Sequence, residues 1–269
     1  MSKNILIIGN KGYLGKHIVR YFKKSNSVYV FNRKDINQFI CSGKIGFKVR
    51  FDVLVNCIVD YDNDSAQIIE SNFFLPIKIC QKIKKSTNFQ VFHFDSFYSK
   101  FFELAPKNVY LLSKKSLLEW AEIFHFENPG ITTFILRLEH VIGKDESEKK
   151  FNGWLINSLR SNQNISLSNS NHKIDVIHFE DILILIKLLV DKNLFKGELK
   201  VLEVGSGKNY SIKTFAQKIK VKLKSESIIT YDKNVEKYKT KSSISNIKEL
   251  IKVGWKPKSD IDEIIDLIL

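Results

Sequence analysis

A tyrosine and a lysine stand four residues apart in the segment Tyr110-Leu111-Leu112-Ser113-Lys114. On a helix this spacing places Tyr110 and Lys114 on one face, one turn apart. A phenol titrates at about 10 in water, and a nearby ammonium group favours its ionised form. We therefore expect Lys114 to lower the pKa of Tyr110, so that the pair can exchange a proton with a carbonyl or an alcohol.

A glycine-rich turn follows the first apolar run of the chain. It reads Gly9-Asn10-Lys11-Gly12-Tyr13-Leu14-Gly15, and all seven residues are candidate cofactor contacts. We expect Gly9 to permit a tight turn, Gly12 to let a pyrophosphate approach, and Gly15 to let the following helix pack closely on a sheet. The pyrophosphate would sit on the N–H groups at the start of that helix. At a first strand–helix junction this spacing indicates dinucleotide binding.

The end of the second expected strand bears on the choice of dinucleotide. It carries Asn32, Arg33 and Lys34, with no acid before Asp35. An acid at this point would bond the ribose 2′-hydroxyl of NAD and repel the 2′-phosphate of NADP. Arg33 and Lys34 could instead hold a 2′-phosphate through charge-assisted hydrogen bonds. We expect NADP, with NAD as the alternative if these side chains are only solvated surface cations.

The elements that must position these residues alternate short apolar runs with amphipathic stretches, a pattern typical of a parallel sheet with crossover helices. Strands are expected at 5–8, 28–31, 53–57, 89–94, 132–138 and 201–204. Helices are expected at 14–24, 66–84, 110–126, 151–159 and 181–190, and a polar surface loop at 162–172. The predicted fold class is α/β, a doubly wound parallel Rossmann sheet over residues 1–142 with a small C-terminal α/β substrate lobe. That lobe would span 143–269, with some segments returning to the Rossmann domain.

The bulk composition argues against several classes of protein. The longest apolar run, at 182–190, is interrupted by Lys187 and is far shorter than the ~20 residues of a membrane span. Cys41, Cys57 and Cys80 have no paired spacing and no histidine-rich surroundings, which argues against disulfides and a metal site and favours the reducing cytoplasm. The net charge of +14 comes from scattered lysines, and this argues against a nucleic-acid partner.

Further segments carry a resemblance to a known family. Beside the glycine turn and the Tyr110–Lys114 pair, they are 51–57, Asn72, 136–143, 204–208 and 254–257. Through them the sequence resembles, over almost its whole length, the extended short-chain dehydrogenases, which include nucleotide-sugar epimerases, dehydratases and ketoreductases. Asp95-Ser96-Phe97 followed by the tyrosine segment is most similar to nucleotide-sugar 4-ketoreductases of the abequose synthase type.

The resemblance implies roles for individual residues. Tyr110 would exchange the proton, and Lys114 would also bond the nicotinamide ribose. Glu139 and His140 would lie near the substrate, although Glu139 could equally pair with a lysine. Three residues at the end of the third strand would pass under the cofactor: Asn56, Cys57 and Ile58.

One departure from the family concerns the hydroxyl group that bonds the reacting oxygen. The family usually has this hydroxyl at the position of Phe94. Ser96 lies two residues further on and could supply the hydroxyl if the end of the strand is rotated. Ser96 is therefore the third expected catalytic residue, and it would also contact the substrate.

The sequence predicts NADPH-dependent reduction of a keto group on a nucleotide-activated sugar, for surface polysaccharide biosynthesis. An epimerase that retains NAD is one alternative. A non-catalytic NADP-binding regulator is another, because Phe94 stands where the family has its hydroxyl. The apolar faces of helices 66–84 and 110–126 exceed what one sheet face needs, and in the family such helices form a dimer interface. We therefore expect a homodimer.

Overall fold

The central strands form from runs of branched apolar residues, which suit a parallel sheet because both of its faces are covered. The side chains of residues 5–8 are completely buried in the first strand, and those of 53–55 in the third. The computed structural model describes residues 2–42, 49–61, 64–103, 108–144, 146–148, 150–168, 173–232, 242–258 and 260–269.

The strands and helices alternate along most of the chain. The strands are β1 (Asn4–Ile8), β2 (Ser27–Phe31), β3 (Phe51–Asn56), β4 (Lys85–Ser96), β5 (Thr132–Leu138), β6 (His140–Ile142), β7 (Ile165–Ser168), β8 (Lys173–Ile174), β9 (Val176–His178), β10 (Leu199–Val204), β11 (Tyr210–Ser211) and β12 (Ile229–Asp232). The helices are α1 (Tyr13–Phe22), α2 (Arg33–Ser42), α3 (Ser65–Ile69), α4 (Leu75–Lys82), α5 (Val109–Glu127), α6 (Phe151–Arg160), α7 (Phe179–Asp191), α8 (Ile212–Leu223), α9 (Lys248–Lys252) and α10 (Ile261–Ile268).

The chain divides into two compact units. The first consists of Met1–Ser99, Lys107–Arg137 and Ile186–Leu202, and the second of Lys100–Pro106, Leu138–Leu185 and Glu203–Leu269. The first unit is built on a six-stranded parallel sheet with the order β2-β1-β3-β4-β5-β10. The chain leaves β1 toward β2 on one side and later returns to β3 on the other. This reversal is the topological switch point at which open α/β sheets bind ligands.

The helix expected at 66–84 is divided into three pieces. A π-helical turn at Glu70–Phe74 separates α3 from α4. Pro76 stands in the first turn of α4, where its missing N–H costs no helical hydrogen bond. The π turn buries Ser71 and Asn72, which places a polar side chain in the interior. Such turns occur frequently at functional sites.

The second unit packs its helices around a separate apolar core. The core side chains of the three main helices are Leu155 and Leu159 of α6, Phe215 and Ile219 of α8, and Ile264 and Ile265 of α10. Small two-stranded sheets pair β6 with β9, β7 with β12, and β8 with β11. Helix α10 begins with a capping box, in which the side chains of Asp260 and Glu263 each accept a backbone N–H of the other residue.

The α/β Rossmann fold expected from the sequence is confirmed, and β5 has the expected bounds. The polar loop expected at 162–172 is wrong at Ile165–Ser168, which forms β7 because Ile165 and Leu167 are buried on one face of the strand. Residues 169–172 lie outside the described part of the chain. Among the described residues, no helix has both the length and the apolar character needed to span a membrane.

Candidate active site

The glycine turn between β1 and α1 has no room for a side chain at two of its glycines. Gly9 has a φ of +78°, and a Cβ atom there would lie 2.5 Å from the backbone carbon of Cys57. A Cβ atom on Gly15 would collide with the backbone oxygen of Gly9. Gly12, which caps α1, differs because its Cβ atom would come no closer than 3.4 Å to any neighbour. The turn therefore leaves open space in front of the first backbone N–H groups of α1, those of Tyr13 and Leu14.

A cavity of about 250 Å³ opens at the carboxyl ends of β1, β2 and β3, next to the switch point of the sheet. Its walls come from the glycine turn, the start of α2, the loop after β3 and the following helical segment. The lining residues are Gly9, Asn10, Lys11, Gly12, Phe31, Asn32, Ile36, Cys57, Ile58, Val59, Asp60, Ser71 and Leu75. A glycine cradle without side chains beside a cavity of this kind fits a dinucleotide.

Asn32 forms the wall of this cavity at the start of α2. Its Oδ1 atom accepts the backbone N–H groups of Lys34 at 2.9 Å and Asp35 at 3.1 Å. The carboxylate of Asp35 in turn accepts the backbone N–H of Asn32 at 3.0 Å. The acid nearest to the end of β2 is therefore engaged in capping α2. Lys34 is exposed, and the side chain of Arg33 lies outside the described part of the protein.

Asn56 supports the loop that follows β3. Its Oδ1 atom accepts the backbone N–H of Ile58 at 3.1 Å, and its Nδ2 atom lies 3.1 Å from Nδ1 of His93. Burial is the main cause that lowers the pKa of His93 to about 3, with a contribution from the charge of Lys114. The ring is therefore neutral and can accept the amide hydrogen of Asn56. This buried pair fixes the backbone of Cys57 and Ile58 beside the cavity.

Asn72 joins the same loop to helix α5. Its side chain exchanges two hydrogen bonds of 2.7 Å with the backbone of Asp60 and donates a third, of 3.1 Å, to the hydroxyl of Ser113. That hydroxyl donates to the backbone oxygen of Tyr110 at 2.7 Å. Asn72 is completely buried. The π turn thus ties the wall of the cavity to the first turn of α5.

Helix α5 presents Tyr110 and Lys114 as the four-residue spacing predicts. Asn108 caps the helix by accepting the backbone N–H of Leu111 at 2.8 Å. The amino group of Lys114 lies 5.8 Å from the centre of the Tyr110 ring and donates to the backbone oxygen of Phe94 at 2.9 Å. Burial, the larger cause, lowers the pKa of Lys114 to about 8, and the carboxylate of Asp95 opposes this change.

Ser96 lies close enough to the phenol of Tyr110 for its hydroxyl to oppose the rise of the phenol pKa, so β4 extends far enough to bring these two side chains together. The expected lowering of the phenol pKa is wrong. Burial and the negative charge of Asp95 raise the pKa of Tyr110 to about 12, against the opposing effect of the Ser96 hydroxyl. The physical reason is that desolvation outweighs a lysine whose amino group bonds to Phe94. Tyr110 is therefore protonated throughout the neutral range.

Two neighbours of the pair could not be found from the sequence pattern. The ring of Tyr61 meets that of Tyr110 edge on, with centroids 6.2 Å apart and an interplanar angle of 89°. His93 lies in the middle of a buried strand, where a polar residue among apolar ones was the single available signal. Neither residue belongs to a spacing motif, because each is brought to the site by tertiary packing.

Glu139 and His140 belong to the second unit, where Glu139 is part of a buried polar network. Its carboxylate accepts the hydroxyl of Ser243 at 2.7 and 2.6 Å and pairs with Lys100 at 3.3 Å. Glu139 therefore pairs with a lysine, which is the alternative to a substrate contact that the sequence left open. His140 donates its backbone N–H to the backbone oxygen of Asp175 at 3.2 Å.

Asp175, also completely buried, is the second carboxylate of that network. It accepts backbone N–H groups from Ser206 at 2.7 Å, Gly207 at 3.1 Å and Ser245 at 3.0 Å. No group of three or more His, Cys, Asp or Glu side chains in the described residues is arranged to hold a metal ion.

Comparisons with known proteins agree with this geometry. CDP-abequose synthase of Salmonella muenchen is 23% identical over 281 residues, which cover 98% of this chain and 96% of that protein. The structure of RMD from Pseudomonas aeruginosa complexed with NADPH has a TM-score of 0.82 at 16% identity, covering 100% of this chain and 98% of that one. UDP-glucose 4-epimerase with UDP-glucose from Thermotoga maritima has a TM-score of 0.81 at 16% identity, covering 98% and 96%.

A model of the NAD dependent epimerase/dehydratase family matches residues 5–205, which is more than half of the chain. This span includes the glycine turn, the cavity and the Tyr110–Lys114 pair. The family resemblance expected from the sequence is thereby confirmed. The chain belongs to the NAD-dependent epimerase/dehydratase family and is an NAD(P)-dependent enzyme of the extended short-chain dehydrogenase type.

Proposed function

We propose that this protein is an NADPH-dependent reductase of a keto group on a nucleotide-activated sugar, and that its product enters surface polysaccharide biosynthesis. The observation that carries the proposal is the buried phenol of Tyr110, which lies beside Ser96 and one helical turn from Lys114 and has a pKa raised to about 12. A group that holds its proton at neutral pH is suited to donate it to a carbonyl oxygen that gains charge during reduction. Ser96 stabilises the same oxygen as a second hydrogen-bond donor.

Lys114 supports this proton transfer from the next turn of α5. Its pKa of about 8 leaves most of it charged at neutral pH, and its amino group lies 5.8 Å from the centre of the Tyr110 ring. A positive charge at this distance favours the phenolate that forms when Tyr110 gives up its proton. Lys114 also bonds a ribose hydroxyl of the cofactor.

The dinucleotide, when bound, supplies the hydride for the reduction. The glycine turn holds the pyrophosphate at the start of α1, and the cavity beside Asn32 and Ile58 accepts the adenosine half. We assign NADP rather than NAD because Asp35 is engaged in capping α2, so no carboxylate is available for a ribose 2′-hydroxyl at the end of β2. Arg33 and Lys34 bind the 2′-phosphate.

The substrate class is supported by the curated relatives. Two of them, from Salmonella muenchen and Salmonella typhimurium, carry the name CDP-abequose synthase and match this chain over nearly its full length. A CDP-linked 4-keto sugar is therefore the first substrate to test. Solved relatives of the same fold include a UDP-glucose 4-epimerase, so an epimerase reaction is the competing possibility.

A homodimer is part of the proposal. Helix α5 exposes Leu112, Ile123 and Phe126 on one face, and Phe126 is 86% exposed. Phe74, in the π turn packed beside α5, is also exposed. Apolar side chains in this number on adjacent helices are typical of a surface that a second copy covers.

The first experiment tests cofactor choice. Purified protein is checked for retained nucleotide and then titrated with NADPH and NADH while nicotinamide fluorescence is followed. We expect NADPH to bind at least about tenfold more tightly, since hydrogen bonds to a charged phosphate contribute about 1.5–3 kcal/mol. Arg33→Ala should remove this preference, whereas Arg20→Ala, an exposed arginine at the far end of α1, should keep it.

The second experiment tests the reaction. Loss of NADPH absorbance is measured with CDP-linked and UDP-linked 4-keto sugars. Consumption of NADPH in proportion to product supports the reductase. Retained NAD, together with conversion of a nucleotide sugar without net cofactor use, would establish an epimerase instead. Tight NADPH binding with no turnover on any keto sugar would indicate a regulator.

A further inference from the structure

Asp95 adjoins Ser96 at the end of β4, and its side chain is 4% exposed. The Oδ1 atom accepts the backbone N–H of Ser96 at 2.8 Å and the hydroxyl of Ser99 at 2.6 Å. The Oδ2 atom accepts Nε–H of Arg137 at 2.8 Å. Both oxygens of the carboxylate therefore have partners within the protein.

These bonds close a turn at the point where β4 passes into a 3₁₀ helix at Phe97–Phe101. A carboxylate that bonds the N–H of the next residue and a hydroxyl four residues on holds the intervening backbone in one conformation. Ser96 lies inside this turn, with its hydroxyl accepting the N–H of Tyr98 at 3.3 Å and close enough to the phenol of Tyr110 to affect its pKa. The direction of the Ser96 side chain thus depends on the carboxylate of Asp95.

Arg137 determines what Asp95 can do chemically. The guanidinium donates Nε–H to Oδ2 at 2.8 Å, and this charge-assisted bond holds the carboxylate in place. A carboxylate whose two oxygens both accept hydrogen bonds within the protein has little freedom to reach a substrate. Its charge does act on the neighbouring pair, because it raises the pKa of both Tyr110 and Lys114 and so favours their protonated forms.

We propose that Asp95 is a positioning residue, whose carboxylate, held by Arg137, closes the turn that carries Ser96 and directs the Ser96 hydroxyl at Tyr110. The effect on turnover rests on the proposed reductase function, whereas the effect on the approach of Ser96 to Tyr110 does not. Asp95 acts through Ser96 and does not touch the reacting atoms.

Asp95→Asn keeps the shape of the side chain and has one oxygen instead of two. The NH₂ group of the new amide must face either Arg137 or the two donors from Ser96 and Ser99. In both orientations at least one hydrogen bond of the turn is lost. We expect kcat to fall about tenfold, since one charge-assisted hydrogen bond is worth about 1.5–3 kcal/mol. The Kd for NADPH should stay within about twofold of wild type, because the contacts of the glycine turn are unchanged.

Ser99→Ala is a milder variant, which keeps the proposal testable if Asp95→Asn fails to fold. It leaves the bonds of Asp95 to Arg137 and to the backbone of Ser96, and we expect kcat to fall about threefold, less than in Asp95→Asn because two of the three bonds of the carboxylate remain. Ser86→Ala is the matched control, since Ser86 lies at the other end of the same strand, and its kcat should equal that of wild type. A kcat within about twofold of wild type in Asp95→Asn would overturn the proposal.

A spectroscopic measurement separates this proposal from the proposed function. The protein is labelled with ¹³Cζ-tyrosine, and the Tyr110 resonance is assigned by its absence in Tyr110→Phe. Ser99→Ala, which keeps the charge of Asp95, should move this resonance in the same direction as Ser96→Ala, and an unmoved resonance would overturn the positioning role. A wild-type protein that reduces no keto sugar would overturn the reductase alone, and the resonance then decides the role of Asp95.

Discussion

The amino group of Lys114 donates a hydrogen bond of 2.9 Å to the backbone oxygen of Phe94, and this bond ties helix α5 to strand β4. Phe94 stands where the resemblance to the family predicts a catalytic hydroxyl, and here it contributes its carbonyl group to the lysine, while we propose that Ser96 supplies the hydroxyl. Lys114 is therefore both a structural tether and a buried cation.

The buried charge of Lys114 lowers the free energy of unfolding. The pKa of Lys114 is about 8 in the folded protein, below its ordinary value of 10.5. Between these two values the unfolded chain binds more protons, so the free energy of unfolding of the wild type rises with pH across this window. Below about pH 8, burial of the charge lowers the free energy of unfolding by about 3 kcal/mol. We expect Lys114→Met to exceed the wild type in free energy of unfolding at pH 7 and to lose turnover.

Urea unfolding of both proteins at pH 7 and pH 10 checks this expectation. The advantage of Lys114→Met should be smaller at pH 10, where the wild-type lysine no longer carries the cost. The lost bond to Phe94 subtracts about 1 kcal/mol from the gain at both values. A variant that is less stable than wild type at pH 7 would show that the tether outweighs the burial of the charge.

The proton donor can be tested by removing one oxygen. Tyr110→Phe retains the ring and its edge contact with Tyr61, and it removes the phenol oxygen beside Ser96. We expect kcat to fall by about 10²–10⁴, the usual contribution of a general acid. NADPH fluorescence should show unchanged binding. Tyr21→Phe, in the last turn of α1, is the control. Equal turnover in the two variants would eliminate Tyr110 as the proton donor.

The pH dependence of turnover follows from the two pKa values. Tyr110 keeps its proton up to about pH 12, so its ionisation does not limit activity in the neutral range. Lys114 loses its charge as the pH rises through about 8. We expect kcat to decline above this value, because the uncharged amine no longer favours the phenolate. Initial rates from pH 6 to 10 at saturating NADPH provide the measurement, and a flat profile would contradict the role of Lys114.

Gly9 offers a test of the dinucleotide site. In Gly9→Ala the new methyl group meets the backbone of Cys57 at 2.5 Å, and the residue must also keep a φ of +78°. We expect a loss of about 1–3 kcal/mol in free energy of unfolding and weaker NADPH binding. Gly130→Ala is the matched control, because a Cβ atom at Gly130 meets nothing within 4 Å. Thermal melts and NADPH titrations of both variants distinguish a local clash from a general effect of alanine.

The expected dimer can be disrupted by one charge. Ile123 is 58% exposed on the apolar face of α5, so Ile123→Glu would place a carboxylate inside the contact between two copies. We expect the variant to sediment as a monomer at concentrations at which the wild type sediments as a dimer. Val221→Glu changes a similarly exposed side chain on α8 and should leave the mass unchanged. A monomeric wild type would contradict the dimer itself.

The sequence was sufficient for the parts of the fold that local patterns determine. The apolar runs at 5–8 and 132–138 predict β1 and β5 because strands buried on both faces read as unbroken apolar segments. Strand β7 was missed, since Ile165–Ser168 alternates over four residues and pairs with a strand some sixty positions later. A pattern this short has no local signature.

The site was predictable in its residue types and less so in its electrostatics. The spacing of Tyr110 and Lys114 predicts their shared face, which α5 provides. The direction of the Tyr110 pKa could not be read from spacing, because it depends on burial and on the charge of Asp95. The position of the Ser96 hydroxyl likewise depends on where β4 ends, and the side-chain bonds of Asp95 decide that point.

The buried network around Glu139 and Asp175 has a consequence for synthesis of the chain. Their partners Ser243 and Ser245 are made about 70 to 100 residues later, so both carboxylates leave the ribosome long before these two donors. Gly205 lies where these segments meet, and a Cβ atom there would strike the side chains of Asp175 and Ser245. The second unit therefore cannot complete its interior during translation of its own first half, and a nascent chain halted before Ser243 should remain a substrate for proteases.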